Sequence, residues 1–115
     1  MQHQYYFTPL YRWNRDSTNP KLSEYEKMEK GLSCDTLLTF EHGSLNANNK
    51  TYKYLNRKPY SNLFDIDCDV FYGDNNLAGE EWHIYKNGWV VFNVNGSGLP
   101  IVESYLGKMR FIARK

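Results

Sequence analysis

Apolar and polar residues alternate over much of this chain, and a period of two is typical of β-strands with one buried face. Clusters of Asn, Gly and Pro separate the alternating segments, as turns between strands require. Together they predict seven strands, at residues 4–13, 34–40, 51–55, 63–72, 82–86, 89–94 and 108–114. The Asn-rich segment 44–50 is predicted to be a turn. Short connections favour an antiparallel sheet, and Pro9 indicates a sheet edge because proline has no N–H for a ladder.

Two segments carry helix signals instead. Residues 20–30 begin with Pro20, and Gly31 follows them; both are favourable helix-end residues. Their apolar positions have helical spacing: Leu22, Tyr25, Met28 and Leu32. A second short helix is predicted between Pro100 and Gly107. We therefore expect one α+β domain over residues 1–115, with a mainly antiparallel sheet of about five to seven strands and two short helices.

The segment WHIYKNGWVVFNV, residues 82–94, is the strongest local signal. Asn87-Gly88 between two apolar runs favours a type I′ hairpin with positive φ at both turn residues. Residue 86 then pairs with 89, and one face carries Trp82, Ile84, Lys86, Trp89, Val91 and Asn93. Four of these have the aromatic and polar character that is enriched in interfaces: Trp82, Lys86, Trp89 and Asn93. Burial of the same face in the core is the alternative.

The segment FDIDCDVF, residues 64–71, has an aspartate at every second position. In a regular strand, Asp65, Asp67 and Asp69 lie on one face about 7 Å apart, where like charges repel. They form either a solvated face neutralised by Lys53 and Arg57 of a neighbouring strand, or a docking surface for a basic partner. No metal site is expected, because a strand spreads its carboxylates apart. Cys68 alternates with apolar residues and is predicted to be buried.

Net charge is only +1, so no global field favours nucleic acid or a membrane surface. No apolar run approaches the ~20 residues of a membrane span. Nucleic-acid binding is nevertheless the second hypothesis, with aromatic rings stacking on bases and basic side chains contacting phosphate. Those basic residues are Lys53, Arg57, Lys86, Arg110 and Arg114. The acidic strand argues against it, because it would repel the same phosphates.

The histidine, cysteine and acidic residues are not spaced as in known catalytic, cofactor-binding or metal-binding motifs. A nuclease-like pairing of a histidine with a nearby glutamate stays open as a third hypothesis, using His42 or His83 with Glu41, Glu80 or Glu81. The N-terminal residues lack the pattern of a secretory signal. We therefore expect a cytoplasmic protein whose two cysteines, Cys34 and Cys68, are reduced and unpaired.

In general composition the chain is short and rich in Asn, Lys and Tyr, and it resembles small accessory proteins of bacteriophages and mobile elements. That resemblance covers no motif. It implies a protein that binds and blocks a host protein, for example a defence nuclease. The leading hypothesis is therefore a non-enzymatic inhibitor or antagonist without a cofactor, and its partner is a host or target protein with a basic surface. Its predicted contact residues are the three aspartates and the four hairpin residues named above.

Overall fold

A computed structural model describes residues 2–13, 20–29, 34–56, 58–59, 62–74, 79–95 and 101–114. Most of these residues are in strands, and the described part of the chain contains one 3₁₀ turn, at Leu22–Glu24, and no α-helix. The strands are β1 (His3–Trp13), β2 (Glu26–Lys27), β3 (Thr36–Glu41), β4 (Ser44–Ala47), β5 (Lys50–Leu55), β6 (Cys68–Asp74), β7 (Gly79–Tyr85), β8 (Trp89–Asn95) and β9 (Ile101–Arg114). The prediction of an α+β domain is wrong.

The sheet closes into an antiparallel barrel of eight strands. Each strand from β3 to β9 pairs with the next, and β1 pairs with both β3 and β9. The short β2 pairs only with the far end of β1, opposite Tyr11 and Arg12. Pro9 lies where β1 changes partner, after the pairing of Phe7 with β3 ends and before the pairing with β2 begins. The predicted sheet edge at Pro9 is therefore wrong, because Pro9 lies within the closed barrel wall and pairs with Gly107 of β9.

Two-residue turns join β3, β4 and β5. Positive φ angles occur at His42 (52°) and Gly43 (74°), and again at Asn48 (52°) and Asn49 (63°). Both turns have the left-handed geometry of the tight hairpin turns that match strand twist. The turn predicted over residues 44–50 is wrong, because it contains the whole of β4.

Neither predicted helix exists. In the first segment, the 3₁₀ turn gives way to the extended residues of β2. In the second, β9 runs for 14 residues with β1 on one side and β8 on the other. Gly107 does not end a helix; it faces Pro9 across the β1–β9 pairing. A Cβ at Gly107 would overlap the Thr8 carbonyl oxygen, so this position requires glycine for close strand approach.

The β7–β8 hairpin exists, but with a register one residue away from the prediction. Ile84 pairs with Val90, which leaves a three-residue connection at residues 86–88. Gly88 donates its N–H to the Tyr85 carbonyl oxygen (3.1 Å) and has φ of 91°. Positive φ is confirmed at Gly88, whereas the same prediction for Asn87 is wrong. The geometry is that of a type I turn followed by a left-handed residue.

Because of this shift of one residue, and contrary to the prediction, Trp82 and Ile84 do not share a face with Trp89, Val91 and Asn93. Trp82 and Ile84 point into the barrel, where Trp82 is 1% exposed and packs against Phe7 in a T-shaped arrangement (ring centroids 5.2 Å apart). Trp89 and Val91 point outward. The interior also holds large side chains from the other strands: Leu38, Leu45, Tyr52, Phe71 and Val90.

The outer surface of β6–β9 is also largely buried. Tyr85, Val91 and Leu106 form a second apolar cluster there. Residues of two non-strand segments pack on it: Tyr25 from one, and Leu63, Phe64 and Ile66 from the other. Because this wall is covered on both faces, β8 reads as a nearly continuous apolar run.

Candidate functional site: an aromatic groove

The Asp-rich segment is only partly a strand. Asp69 belongs to β6, whereas Asp65 and Asp67 lie in an irregular segment that precedes it. We call residues 62–67 the Asp loop. Asp65 has φ of 52°, a left-handed conformation that Asp and Asn tolerate better than most residues. All three carboxylates are exposed, as a solvated face requires.

Hydrogen bonds fix the Asp loop against the β7–β8 hairpin. The backbone N–H of Leu63 donates to the hydroxyl oxygen of Tyr85 (3.0 Å). The backbone N–H of Lys86 donates to the carbonyl oxygen of Asp67 (3.2 Å). Within the loop, the Asn62 amide donates to the Ile66 carbonyl oxygen (2.8 Å). The loop is therefore held at both ends, with its apolar side chains against the barrel and its carboxylates in solvent.

The predicted neutralisation of the aspartates by Lys53 is not observed. Lys53 lies opposite Tyr72, and the pairing of β5 with β6 reaches no further toward the aspartates than Val70. Arg57 lies outside the described residues. Within the described part of the chain, none of the three carboxylates forms a hydrogen bond or an ion pair.

An apolar groove of about 290 Å³ opens on the outer face of the barrel beside the Asp loop. Leu106 of β9 is 2% exposed and forms its floor, whereas Leu22 is 46% exposed at its margin. We call this the aromatic groove, after the other residues that line it: Tyr11, Tyr25, Phe64 and Trp89. Its volume is at the lower end of the range of small-molecule sites, and suits one or two side chains.

Trp89 is held by contacts within this groove. Its ring is stacked with Phe64 of the Asp loop (centroids 6.0 Å apart, 25° between planes). Tyr11 of β1 contacts it from another side (6.3 Å). The Lys108 ammonium lies 4.9 Å from the ring centroid, in a cation–π arrangement. One margin of the groove is therefore basic, and the margin formed by the Asp loop is acidic.

A polar chain fixes Tyr25 in the wall. The Ser104 hydroxyl donates to Asn93 Oδ1 (2.5 Å) and the Tyr25 hydroxyl lies 2.6 Å from Ser104 Oγ. Burial raises the pKa of Tyr25 to about 12, so its hydroxyl stays protonated at neutral pH. With Ser104 donating to Asn93, the Tyr25 hydroxyl donates to Ser104. Asn93 and Ser104 are buried, and through them the network fixes the half-buried Tyr25 in the wall of the groove.

The structure separates the predicted interface residues. Trp82 is inside the barrel, and Asn93 is 3% exposed within the network under Tyr25. Trp89 lines the groove, and Lys86 is an exposed residue of the turn bonded to Asp67. Half of the predicted hairpin set therefore lies beside the aspartates, whereas the other half is buried. The role of these residues in partner binding stays a prediction.

The basic residues of the nucleic-acid hypothesis are dispersed. Lys53 is exposed on β5, and Lys86 lies in the β7–β8 turn. The Arg110 guanidinium lies over the Tyr6 ring (5.3 Å) and near the Asp35 carboxylate (3.9 Å). The side chain of Arg114 lies outside the described residues. Those that the structure describes do not form one continuous basic strip.

The histidine–glutamate pairs of the third hypothesis do form. His83 Nε2 lies 3.0 Å from Glu81 Oε1, and His42 Nε2 lies 3.3 Å from Glu41 Oε1. The first pair is on the outer face of β7 but buried, with His83 2% exposed, so a substrate has no access to its ring in this conformation. The second pair is exposed at a tight turn. Neither has a second catalytic group shown beside it.

Sequence reasoning missed most of the groove. Tyr11 and Leu106 appeared as ordinary members of a strand and a helix, and Leu22 as part of a helical stripe. Only Trp89 was predicted to be a contact residue. The one available signal was the density of aromatic residues in otherwise polar segments, such as Phe64 beside Asp65.

The described residues include no cluster of three or more His, Cys, Asp or Glu side chains that could hold a metal ion. In the same part of the chain, no helix has both the length and the apolar character needed to cross a membrane. Comparison with known proteins gives no relative: no family model, curated protein or solved structure matches this chain.

Proposed function

We propose that this protein is a small non-enzymatic binding module, an inhibitor or antagonist of a larger protein, and that the aromatic groove is its main contact surface. The observation that carries the proposal is the groove itself. It exposes tryptophan, tyrosine, phenylalanine and leucine side chains in one concave apolar site. Aromatic anchors in such sites dominate the energetics of many protein–protein interfaces.

The groove is also preorganised. The Asp loop is bonded to the hairpin through Leu63 and Lys86, and Tyr25 is bonded to Ser104. Rigid contact residues lose little conformational freedom on association, so more of the contact energy appears as affinity. A small barrel with one fixed site suits a protein that acts by occupying another protein's surface.

The proposal places the protein in the cytoplasm, in the host cell if a phage or mobile element encodes it. Both Cys34 and Cys68 are unpaired in the structure, as predicted. Free thiols fit a reducing compartment.

Two matched variants test the role of the groove. Leu22→Asp places a charge at its margin, and Leu37→Asp places one on β3; the two leucines are 46% and 43% exposed. Because both side chains are already partly solvated, neither change should unfold the barrel, and a thermal melt checks this. Affinity capture from lysate of candidate host cells should recover one stoichiometric protein with the wild type and Leu37→Asp, and lose it with Leu22→Asp.

Fluorescence gives an independent measure of the same contact. Trp13 and Trp82 are 3% and 1% exposed, so acrylamide quenching of the native protein reports mainly on Trp89. Adding the captured protein should protect Trp89 from quenching. Capture that survives Leu22→Asp, or material that is lost on nuclease treatment, would refute the proposal.

A further inference from the structure

We infer that the aromatic groove receives a partner segment with a large apolar side chain and a Lys or Arg close to it, and that the basic residue lies against Asp65 and Asp67. This inference rests on the proposed function and adds the chemistry of the partner. It also assigns a direction to the segment: its basic residue lies on the side of the Asp loop, away from Lys108.

The apolar part follows from the lining of the groove. Its floor is Leu106 and its walls are aromatic rings. In the wall, the hydroxyl of Tyr25 is already hydrogen-bonded to Ser104. A polar side chain placed on the floor would lose water without gaining a partner there, whereas an apolar side chain would gain contact on several sides.

The basic part follows from the position of the carboxylates. Phe64 lines the groove, and Asp65 is the next residue, so their Cα atoms are about 3.8 Å apart. Asp67 is two residues further along the same loop, which hydrogen bonds hold in place. A partner in extended conformation advances about 3.3 Å per residue, so a residue next to the anchor, or one or two positions beyond it, reaches these carboxylates.

No cation of the described residues pairs with these carboxylates, so a cation from a partner would be favourable there. Both are exposed, and neither has a described hydrogen bond or ion pair. Lys86 donates its backbone N–H to the Asp67 carbonyl oxygen, but its ammonium forms no described ion pair with either carboxylate.

Lys108 sets the direction. Trp89 on β8 lies between the Asp loop, which is bonded to β7 and its turn, and Lys108 on β9. A cation on the β9 side would meet the Lys108 ammonium and be repelled, whereas a cation on the loop side meets carboxylates. The margin of the groove therefore discriminates between the two orientations of a segment that is basic at one end.

The test begins with a random peptide library displayed on yeast and selected on the intact wild-type protein. Clones are retained if they fail to bind Leu22→Asp, so that only groove ligands are sequenced. We expect a shared aromatic or long aliphatic residue with Lys or Arg within three positions. One selected peptide is then synthesised, and its Kd is measured by the fluorescence of Trp89 at low and high salt.

A charge-matched pair of double variants isolates the carboxylates. Asp65→Asn with Asp67→Asn removes two charges beside the groove, and asparagine tolerates the left-handed position of Asp65. The control, Asp35→Asn with Glu41→Gln, also removes two charges. Asp35 directly precedes β3 and Glu41 is its last residue. The first pair should weaken the peptide about three- to tenfold at low salt, and the difference should shrink at high salt. The second pair should leave the Kd within about twofold.

The alternative outcomes separate this inference from the proposed function. Groove-dependent peptides without a basic preference, or unchanged affinity in the Asp65/Asp67 variant, would overturn the inference and leave the groove as a contact surface. If no peptide depends on Leu22, the proposed contact surface falls as well. A dimer in sedimentation that Leu22→Asp abolishes would identify a second copy of this chain as the occupant, and would also overturn the inference.

Discussion

Replacing Gly107 with alanine should destabilise the barrel more than the same replacement at any other glycine that the structure describes. Gly107 faces Pro9 where β9 pairs with β1, and this pairing closes the barrel. An added Cβ would overlap the Thr8 carbonyl oxygen and come within 2.8 Å of the Pro9 Cα atom. Both are backbone atoms, so no side-chain rotation relieves the overlap.

The loss of stability can be estimated from the separation of β1 and β9 that the added Cβ would force. Overpacking of this kind costs about 1–3 kcal/mol, and each ladder hydrogen bond lost as the strands separate costs about 1 kcal/mol more. A total of about 2–5 kcal/mol is a large part of the stability of a domain this size. With a urea dependence of about 1.5 kcal/mol per molar, the unfolding midpoint should fall by roughly 1–3 M.

Gly43→Ala is the control in the same urea titration. Gly43 also has positive φ, 74°, but an added Cβ meets nothing within 4 Å. Only the backbone preference is lost, at about 1–2 kcal/mol. If Gly107→Ala cost no more than Gly43→Ala, the close approach of β1 and β9 would be refuted. A glycine that merely ended a helix would give that result.

Three further predictions concern the hairpin, the thiols and the aspartates. Gly88→Val should cost over ~1 kcal/mol in a urea melt, because φ of 91° is strained for a β-branched residue; an unchanged midpoint would contradict the turn. Burial, with the carboxylates beside it, raises the pKa of Cys68 to about 11, so its thiol stays protonated at pH 8 and should react with a maleimide far more slowly than exposed Cys34. Its labelling rate should keep rising between pH 9 and 11, and a plateau near pH 9 would show that the thiol is not desolvated. Replacing all three aspartates with asparagine should leave stability level or slightly higher, because the change removes repulsion and no described ion pair; a loss above ~1 kcal/mol would reveal a structural role.

Part of the site was accessible from sequence. The exposure of the three aspartates follows from alternation, which holds through the bend at Asp65 even though Asp69 alone of the three is in a strand. Ile66 and Cys68 between them are half-buried, so the predicted burial of Cys68 is only partial. The local pattern also predicted a contact role for Trp89, which lines the groove, and that role stays a prediction. The groove itself was not accessible, because its walls come from β1, β8, β9, the 3₁₀ turn and the Asp loop, and only tertiary packing brings these together.

Some of the local geometry could be predicted from sequence alone. Alternation marked most of the strands, and Gly88 has the positive φ that its turn context predicted. These features depend on a residue and its near neighbours, so a local pattern carries them.

Tertiary structure decided the register, the closure of the barrel and the fate of the two helical segments. A connection of three residues in place of two moved the β8 side chains to the other face relative to those of β7, and no local propensity distinguishes the two registers strongly. The residues of β9 are compatible with a helix, but β1 and β8 offer backbone partners along both of its edges. Closing the barrel pairs the backbone groups that the edge strands of an open sheet would leave free. This stabilisation depends on all the strands together, so no single segment of sequence predicts it.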